Sequence, residues 1–467
     1  MSSTKKIHTD DETMEAIEED KCLINRLPDE IMVLFLKKID MDHLLNEVPR
    51  VCSRWSRLAQ DKYVWKGRGL IFDEKQKDNE TYVKDFVKTL NEVPYLSSLN
   101  LSKVPVEVVE AEEAANEDTS SWPTTKVINK KAGANFQRNI GLASLCCNTY
   151  FEGLLDLIIA NRETLSSVML HNVEVDKVGS WDQLENVKIK LSEIMKALID
   201  LPCLKHLSLE FNEIWEFGDI EQWYEELDHI VYSSLLQMTS LKSLELIHAK
   251  PLIRSVPSPP PGSWKLSALE IEGESYFNDD LAALMVSAAT STLQVFRAGH
   301  NGGLKTMKAL KQCQNLESLN LPCLKNLEHF KDLKKVHSLE LYSLEEHSNP
   351  NSRVDEHFVS TAPLLGNLKN FTITATSNPA NYCNLMQALI NKCKEVQKFS
   401  LLEFYIFFQE SPFVRLAPLT VKSIVGGAMP KLCTLEIKSY GCGDSKAVWE
   451  EPLKQLKEKR PALTVLF

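Results

Sequence analysis

The sequence predicts an α/β protein in which a short N-terminal helical module precedes an irregular solenoid of strand and helix repeats. Residues 23–70 carry apolar side chains at helical spacing, interrupted by turn residues. After residue 95 the pattern L-x-x-L-x-L, or an apolar equivalent, recurs eleven times, from LSSLNL (96–101) to LCTLEI (432–437). From residue 165 onward its first positions lie 20 to 39 residues apart, which is the period of a repeat array.

The N-terminal module is predicted to contain three short helices. Pro28 and Asp29 suit the first turn of the first helix, where proline removes no intrahelical hydrogen bond and an acid favours the helix dipole. Asp42 is expected to cap the second helix, and Pro49 to lie in the first turn of the third. Further apolar side chains fall on one face of the third helix or just after it: Val51, Cys52, Trp55, Leu58, Ala59 and Trp65. Such a small core needs cover from a partner or from the rest of the chain.

Several motifs of this module stand in a fixed register: LPDEI (27–31), LF (34–35), Leu44-Leu45, VCSRW (51–55) and Trp65. Together they resemble an F-box, although Pro49 replaces the helix-forming residue that many family members carry there. The resemblance implies that the module binds the Skp adaptor of a cullin-RING ubiquitin ligase, and through it the cullin and RING subunits. The adaptor-binding residues that it implies are Leu27, Pro28, Ile31, Leu34, Phe35, Leu44, Leu45, Val48, Val51, Cys52, Trp55 and Trp65. The alternative is a three-helix element packed against the rest of the same chain.

The recurring pattern begins after a connecting helix. YVKDFVKTL (82–90) is predicted to be helical and to end before Pro94, and further helices are expected between the strands, as at 191–199 and 382–393. The pattern resembles a leucine-rich-repeat array, and LKQCQNLESLNL (310–321) is similar to the cysteine-bearing repeats of F-box/leucine-rich-repeat proteins. The resemblance implies an uneven horseshoe in which Cys313 and Cys393 are small buried packing residues.

The predicted organisation has five segments, and composition distinguishes two of them from the rest. The net charge of −11 arises mostly from residues 10–20, with seven acids, and 107–118, with six. Acidic, weakly apolar stretches of this kind are typical of disordered chain. The segments are a disordered acidic tail (1–22), the F-box (23–70), a connecting helix with the first repeat (71–103), a disordered acidic and polar insertion (104–140) and the leucine-rich-repeat solenoid (141–467).

The same composition argues against several classes of protein. We find no concentrated basic face, so nucleic acid is not an expected partner. The apolar runs are too short to cross a bilayer and the N-terminus lacks the apolar core of a signal peptide, so no membrane association is expected. Eleven cysteines without a CxxC pair favour a reduced compartment, the cytoplasm or the nucleus or both.

The sequence offers no set of residues for bond chemistry. Cys203 and His206 are three positions apart on a predicted strand, a spacing that does not direct both side chains at one point. AGHNGG (298–303) lacks the Lys-Ser/Thr ending of a phosphate-binding loop. We therefore expect a protein that is not an enzyme and holds neither metal nor cofactor.

The residues between the apolar positions of the repeat strands are expected to line the concave face of the solenoid. Glu245, Glu270 and Glu272 would crowd together there, since neighbouring strands lie only about 4.8 Å apart. These glutamates are either ordinary solvated strand residues or a surface for a basic or amide-rich segment of a target protein. The candidate target-binding residues are Glu245, Glu270, Glu272, Arg297, Glu340 and Glu436.

These features predict a substrate-recognition subunit of an SCF-type (Skp-cullin-F-box) ubiquitin ligase. The helical module would bind the Skp adaptor, and the repeats would bind a target protein that the sequence does not identify. One alternative is a binding scaffold or decoy that uses the adaptor without promoting ubiquitylation. The other is a repeat-fold enzyme or enzyme inhibitor unrelated to ubiquitin.

Overall fold

The computed structural model describes fifteen stretches of the chain: residues 23–76, 79–101, 142–148, 153–171, 173, 181–211, 221–247, 259–272, 279–298, 303–321, 333–341, 363–375, 383–404, 413–440 and 445–466. They belong to two compact units, the first formed by Met1–His171 with Asp200–Cys203 and the second by Asn172–Ile199 with Leu204–Phe467. The predicted solenoid segment 141–467 is thus divided between the units. The predicted tail 1–22 and the insertion 104–140 lie outside the described residues.

The first unit begins with four short helices: α1 Asp29–Leu36, α2 Met41–Asn46, α3 Ser53–Ala59 and the single turn α4 Lys62–Trp65. Helix α1 starts directly after Pro28, whose φ of −56° already suits a helix, and acids fill its first turn. Asp40 and Asp61 cap α2 and α4, accepting hydrogen bonds from the backbone N–H groups of His43 at 3.0 Å and Tyr63 at 2.7 Å.

Two details of the predicted helices are wrong. The N-cap of α2 is Asp40, not Asp42, because the chain enters the helix two residues earlier. Pro49 lies in a separate 3₁₀ turn, Val48–Arg50, and α3 begins only at Ser53. A proline without an N–H ends α2 more effectively than it starts α3, so Val51 and Cys52 precede the helix to which the sequence assigned them.

The core of this module is buried beneath one side of α1. Its fully buried side chains include Met32 and Leu36 of α1, Leu44 of α2, Leu58 of α3 and Trp65 of α4. The indole Nε1 of Trp65 donates a hydrogen bond of 2.6 Å to the Ala59 carbonyl oxygen. A buried indole N–H therefore has its partner, and the ring can fill the core without a polar penalty.

Arg68 links the module to the strands that follow it. Its Nη2 donates to the carbonyl oxygens of Leu36, Lys37 and Ile39 at 3.3, 3.0 and 2.6 Å. These groups lie at the C-terminal end of α1, where helix carbonyls lack intrahelical donors. The Arg68 carbonyl in turn accepts from the backbone N–H of Ser97 at 2.9 Å. One residue thus satisfies backbone groups on both sides of the junction.

The remainder of the first unit alternates strands with helices: β1 Gly69–Ile71, α5 Glu80–Glu92, β2 Ser98–Leu101, β3 Ser144–Asn148, α6 Leu154–Ala160 and β4 Ser167–His171. The four strands are parallel and pair in chain order. Gly69 lets β1 approach β2 closely, because a Cβ at this position would lie against the Ser98 hydroxyl and would force that hydroxyl to rotate away. Helix α5 confirms the helix predicted over 82–90 and extends it at both ends.

Among the described residues, the second unit contains ten parallel strands, paired in chain order: β5 His206–Glu210, β6 Ser243–Ile247, β7 Ala268–Glu272, β8 Val295–Ala298, β9 Ser318–Leu321, β10 Ser338–Leu341, β11 Asn370–Ala375, β12 Lys398–Phe404, β13 Thr434–Tyr440 and β14 Thr464–Leu466. Its described helices are α7 Trp181–Ile199, α8 Glu221–Leu235, α9 Asp279–Ala288, α10 Leu304–Leu310, α11 Cys383–Lys392, α12 Phe413–Val425 and α13 Ser445–Lys459. Parallel strands require crossover connections, and these helices lie in the crossovers.

Each of the eleven recurring motifs contains a strand, as predicted, and the reason lies in burial. In LKSLEL (241–246), Leu241, Leu244 and Leu246 are buried, whereas Ser243 and Glu245 are partly exposed. Alternating side chains point to opposite faces of a sheet, so the apolar face meets the helices and the other face stays polar. Cys313 and Cys393 are buried directly after α10 and α11, and burial raises the pKa of the Cys313 thiol to about 12.

Candidate functional site

The first candidate site is a set of exposed apolar side chains on the N-terminal module, which we call the apolar patch: Leu27, Ile31, Leu34, Phe35 and Val51. Ile31, Leu34 and Phe35 are spaced at i, i+3 and i+4, so they share one face of α1 opposite the core residues Met32 and Leu36. Leu34 is 61% exposed, Phe35 47% and Ile31 46%. Single exposed apolar residues are ordinary, whereas a contiguous group of this kind is typical of an interaction surface.

Charged groups hold the start of α1 against α3. The Asp29 carboxylate accepts hydrogen bonds from Arg54 Nη2 at 2.6 Å and from Arg57 Nη2 at 2.7 Å. Arg54 Nη2 also donates to the Leu27 carbonyl oxygen at 2.5 Å. The hydrogen bonds from Arg57 and then Arg54 hold the pKa of Asp29 below its usual value. The patch is therefore carried on a helix whose N-terminal end is fixed by two arginines.

One residue of the apolar patch, Phe35, packs against an aromatic residue of α3. Phe35 meets Trp55 edge to face, with 6.3 Å between the ring centroids. Trp55 itself is largely buried. This is a favoured arrangement for two aromatic rings, so it limits the motion of the exposed Phe35 ring.

The structure divides the predicted adaptor-binding residues into two groups. Six of them have exposed side chains that a partner could contact: Leu27, Pro28, Ile31, Leu34, Phe35 and Val51. The side chains of Leu45 and Cys52 are partly exposed. Four others have side chains buried in the module's own core: Leu44, Val48, Trp55 and Trp65. In this structure these four support the patch from within, and their contact with the adaptor stays a prediction.

Sequence reasoning missed the arginines that hold Asp29 and also missed Tyr63, which is 57% exposed on α4. No spacing rule connects Asp29 with Arg54 and Arg57, since the contact joins two helices. Tyr63 had a local signal, because it stands two residues before the buried Trp65 in a one-turn helix.

The second candidate site is the polar face of the sheet in the second unit. The central residues of β5 to β13 are Ser208, Glu245, Glu270, Arg297, Asn320, Glu340, Thr372, Ser400 and Glu436. Ser208 is opposite Glu245, Glu245 opposite Glu270, and Glu270 opposite Arg297, and the same register continues to Glu436. These residues therefore form one row across the strands, as the sequence predicts.

Glu245, Glu270 and Glu272 lie close together, but a cation is already present beside them. Arg297 Nη1 lies 3.3 Å from Glu270 Oε1 and 3.4 Å from Oε2. The pKa of Glu272 is raised, first by burial and then by the charges of Glu270 and Glu245. Glu270 therefore does not need a cation from a bound ligand, because Arg297 on the next strand already pairs with it.

Glu436, another candidate target-binding residue, is likewise paired within the chain. Lys398 Nζ and Lys438 Nζ each lie 2.8 Å from its oxygens, and Ser400 Oγ donates to it at 3.0 Å. These hydrogen bonds, led by those from the two lysines, lower the pKa of Glu436 to about 2. The carboxylate has few lone pairs left for a ligand.

We expect Glu436→Gln to destabilise the second unit at neutral pH, by about 1–2 kcal/mol, because two charge-assisted hydrogen bonds are weakened. The pKa of Glu436 in the folded protein lies below its usual 4.5, so its stabilisation is fully present above that value and disappears as the pH falls toward about 2. Urea unfolding of both proteins between neutral and acid pH measures the effect, as a difference that shrinks on acidification.

Glu395→Gln is the matched control for this change, since Glu395 pairs with Lys431 at 2.6 Å at a more exposed position. Exposed pairs contribute little to stability, so this variant should unfold like the unchanged protein. A constant difference between Glu436→Gln and the unchanged protein at every pH would contradict the assignment.

Other residues with possible chemistry also lie in the described stretches, where Cys146 Sγ is 3.3 Å from His171 Nε2. Cys203 donates to the Glu163 carbonyl oxygen at 3.3 Å, and His206 is exposed on β5. Within the described stretches, no group of three or more His, Cys, Asp or Glu side chains is arranged to hold a metal ion. The helices in that part of the chain also include none that is long and apolar enough to cross a membrane.

Comparison with known proteins identifies the N-terminal module. A family model described as F-box-like matches residues 24–70, so the chain carries an F-box-like domain. No curated protein matches the chain. Among solved structures, a protein from Bacteroides fragilis is similar at 13% sequence identity and a TM-score of 0.34, over 68% of this chain and 84% of the other. A likeness at that level adds nothing to the functional argument.

Proposed function

We propose that this protein is the substrate-recognition subunit of an SCF-type ubiquitin ligase. The observation that carries the proposal is the apolar patch, which lies within the F-box-like domain and leaves Ile31, Leu34 and Phe35 open to a partner. F-box domains generally bind the Skp adaptor, which brings the cullin and RING subunits. Burying a Leu, Ile or Phe side chain contributes roughly 1.5–3 kcal/mol, so the patch is large enough to support tight binding.

The remaining chain would be an irregular leucine-rich-repeat solenoid, a horseshoe whose polar face binds the target. The strand order, the recurring apolar pattern and the helices in the crossovers support this architecture. Repeats that contact only their neighbours form an extended surface well suited to a protein ligand. The residues proposed for this role are those predicted from the sequence, Glu245, Glu270, Glu272, Arg297, Glu340 and Glu436; of these, Glu270 pairs with Arg297, and Glu436 pairs with Lys398.

In this proposal the chain performs no bond chemistry and needs no cofactor. It raises the effective concentration of a target lysine beside the ubiquitin-conjugating enzyme that the RING subunit recruits. The chemistry takes place on other subunits. The proposed location is the cytoplasm, the nucleus or both, which agrees with a chain whose described cysteines are all free thiols.

The alternative is a binding scaffold or decoy that occupies the adaptor without promoting ubiquitylation. It shares the same patch and the same polar face, so only an activity measurement separates the two functions.

The proposal is tested with the full chain, purified Skp adaptor, cullin and RING subunits. Size-exclusion chromatography should show the chain co-eluting with the adaptor, and separate elution would reject both functions. Proteins captured by the complex from cells with blocked proteasomes are then supplied to the assembled ligase with ubiquitin and a conjugating enzyme. Ubiquitin transfer to a captured protein supports the ligase role, whereas binding without transfer favours the scaffold.

A further inference from the structure

A polar pocket of about 260 Å³ opens on the polar face of the second unit and extends from β8 to β12. Three hydroxyl side chains line it, those of Ser318, Ser338 and Thr372, together with the amide of Asn320 and the carboxylate of Glu340. The pocket is therefore large enough to admit a side chain that projects from a bound polypeptide.

Asn320 carries an unused acceptor into this pocket. Its side chain is only 2% exposed, and its Oδ1 accepts no hydrogen bond from the described residues. Buried polar atoms in native proteins nearly always have a partner, because losing water without replacement is costly. An orphaned amide oxygen on a pocket wall thus indicates a ligand that donates a hydrogen bond.

Glu340 supplies a second unused acceptor directly beside the first. β10 and β9 pair with Glu340 opposite Asn320, so the two side chains project from adjacent strands. Glu340 is partly buried, and no hydrogen bond or ion pair joins its carboxylate to another described residue. Burial raises the pKa of Glu340, Arg297 opposes that shift, and Glu270 adds to it. A cation bound at the carboxylate would relieve this cost.

Arg297 and Lys398, the two cationic side chains that line the pocket, are each paired with a carboxylate outside it. Arg297 pairs with Glu270 on β7, and Lys398 pairs with Glu436 on β13. Both partners belong to strands outside the pocket. Neither cation therefore pairs with the Asn320 amide oxygen or with the Glu340 carboxylate among the described residues.

We infer that this pocket binds the guanidinium group of an arginine side chain from a bound polypeptide. The inference rests on the proposed function, since the polypeptide would be the target held on the polar face. A guanidinium presents five donors in a rigid plane and can bridge two acceptors on neighbouring strands, about 4.8 Å apart. The hydroxyl oxygens of Ser318, Ser338 and Thr372 can accept hydrogen bonds from the remaining N–H groups of the guanidinium. An ammonium is a compact, strongly hydrated charge that reaches fewer of these acceptors at once.

The test selects peptides from a random display library on the full chain in complex with the Skp adaptor. We expect the selected peptides to share an arginine at one position. A synthetic peptide with citrulline in place of that arginine should bind about tenfold more weakly or worse, since citrulline loses the charge and two of the five N–H donors and presents a carbonyl acceptor in their place. Equal binding of the citrulline peptide, equal selection of lysine, or no selected peptide at all would overturn the inference.

Two variants locate the effect. Glu340→Gln keeps the shape of the side chain and removes the charge, so the arginine preference should be lost. Glu395→Gln removes one carboxylate of the second unit that is not among the proposed target-binding residues and that pairs with Lys431, so it should leave the preference unchanged. Equal loss in both variants would indicate a general attraction to negative charge and reject the pocket. Because adaptor binding is measured separately, such a result leaves the proposed function standing.

Discussion

Replacing Ile31 and Leu34 together by alanine should abolish tight binding of the Skp adaptor while leaving the domain folded. Each side chain contributes roughly 1.5–3 kcal/mol when it is buried in an interface, and two of them together correspond to a loss of affinity of more than about a hundredfold. Both are substantially exposed in the free chain, so their truncation leaves no cavity. Calorimetric titration of the full chain with purified adaptor measures the loss.

Ile71→Ala is the matched control, because Ile71 is 68% exposed on β1, in the same unit but outside the apolar patch. It removes the same type of side chain from an accessible position and should bind the adaptor normally. Circular dichroism and thermal unfolding should be alike for the three proteins. Normal adaptor affinity in the double variant would exclude the patch as the binding surface and with it the proposed ligase role.

Trp65→Ala should unfold the N-terminal module, at a cost of about 3–5 kcal/mol, because it leaves a large cavity and removes the hydrogen bond to Ala59. Trp65→Phe fills part of the cavity and should have an intermediate effect. Limited proteolysis and urea unfolding report the loss of the module. Adaptor binding should fall in proportion to the folded fraction, since Trp65 has no exposed surface.

Tyr63→Ala provides the comparison, as Tyr63 lies on the same helical turn but is exposed. It should leave the stability of the module nearly unchanged. If Trp65→Ala instead kept full stability and lost adaptor binding, the tryptophan would be a contact residue, and its burial in the free domain would need another explanation.

The strands were predictable from the sequence because alternation of leucine with polar residues follows directly from one buried face. All eleven motifs contain strands, whereas β1, β3 and β14 were missed. β3 has Cys147 where the motif has its third leucine, and that side chain is fully buried. A cysteine serves there as a small apolar residue, which a search for leucine does not detect. β1 and β14 have only three residues each, too few for a pattern.

The residues of the apolar patch could be predicted only in part. Helix α1 reads DEIMVLFL and is apolar nearly all round, so its period does not decide between Ile31, Leu34 and Phe35 on one side and Met32 and Leu36 on the other. The packing of α1 against α3 and the turn α4 determines that Met32 and Leu36 are buried and that the other three side chains are exposed. Leu44, Val48, Trp55 and Trp65 are as apolar as the exposed residues, and only tertiary contacts distinguish them.

On the polar face, the sequence predicted the row of residues but not their partners. Register follows from the motif, so Glu270 and Arg297 fall on adjacent strands. Which carboxylate a lysine or arginine reaches depends on side-chain length and rotamer, as in the contact between Lys398 and Glu436. The orphaned amide of Asn320 also has no signature in the sequence, since most asparagines are solvated.

Arg68 fixes the orientation of α1 relative to the first strands of the sheet. Its guanidinium holds the last carbonyls of that helix while its own carbonyl accepts from Ser97, just before β2. A rotation of α1 relative to the first strands would break several hydrogen bonds at once, instead of being absorbed by a pliable hinge. In the proposed complex, an adaptor bound to α1 would therefore keep a defined orientation relative to β1 and β2, because the hydrogen bonds of Arg68 fix that helix to the strands.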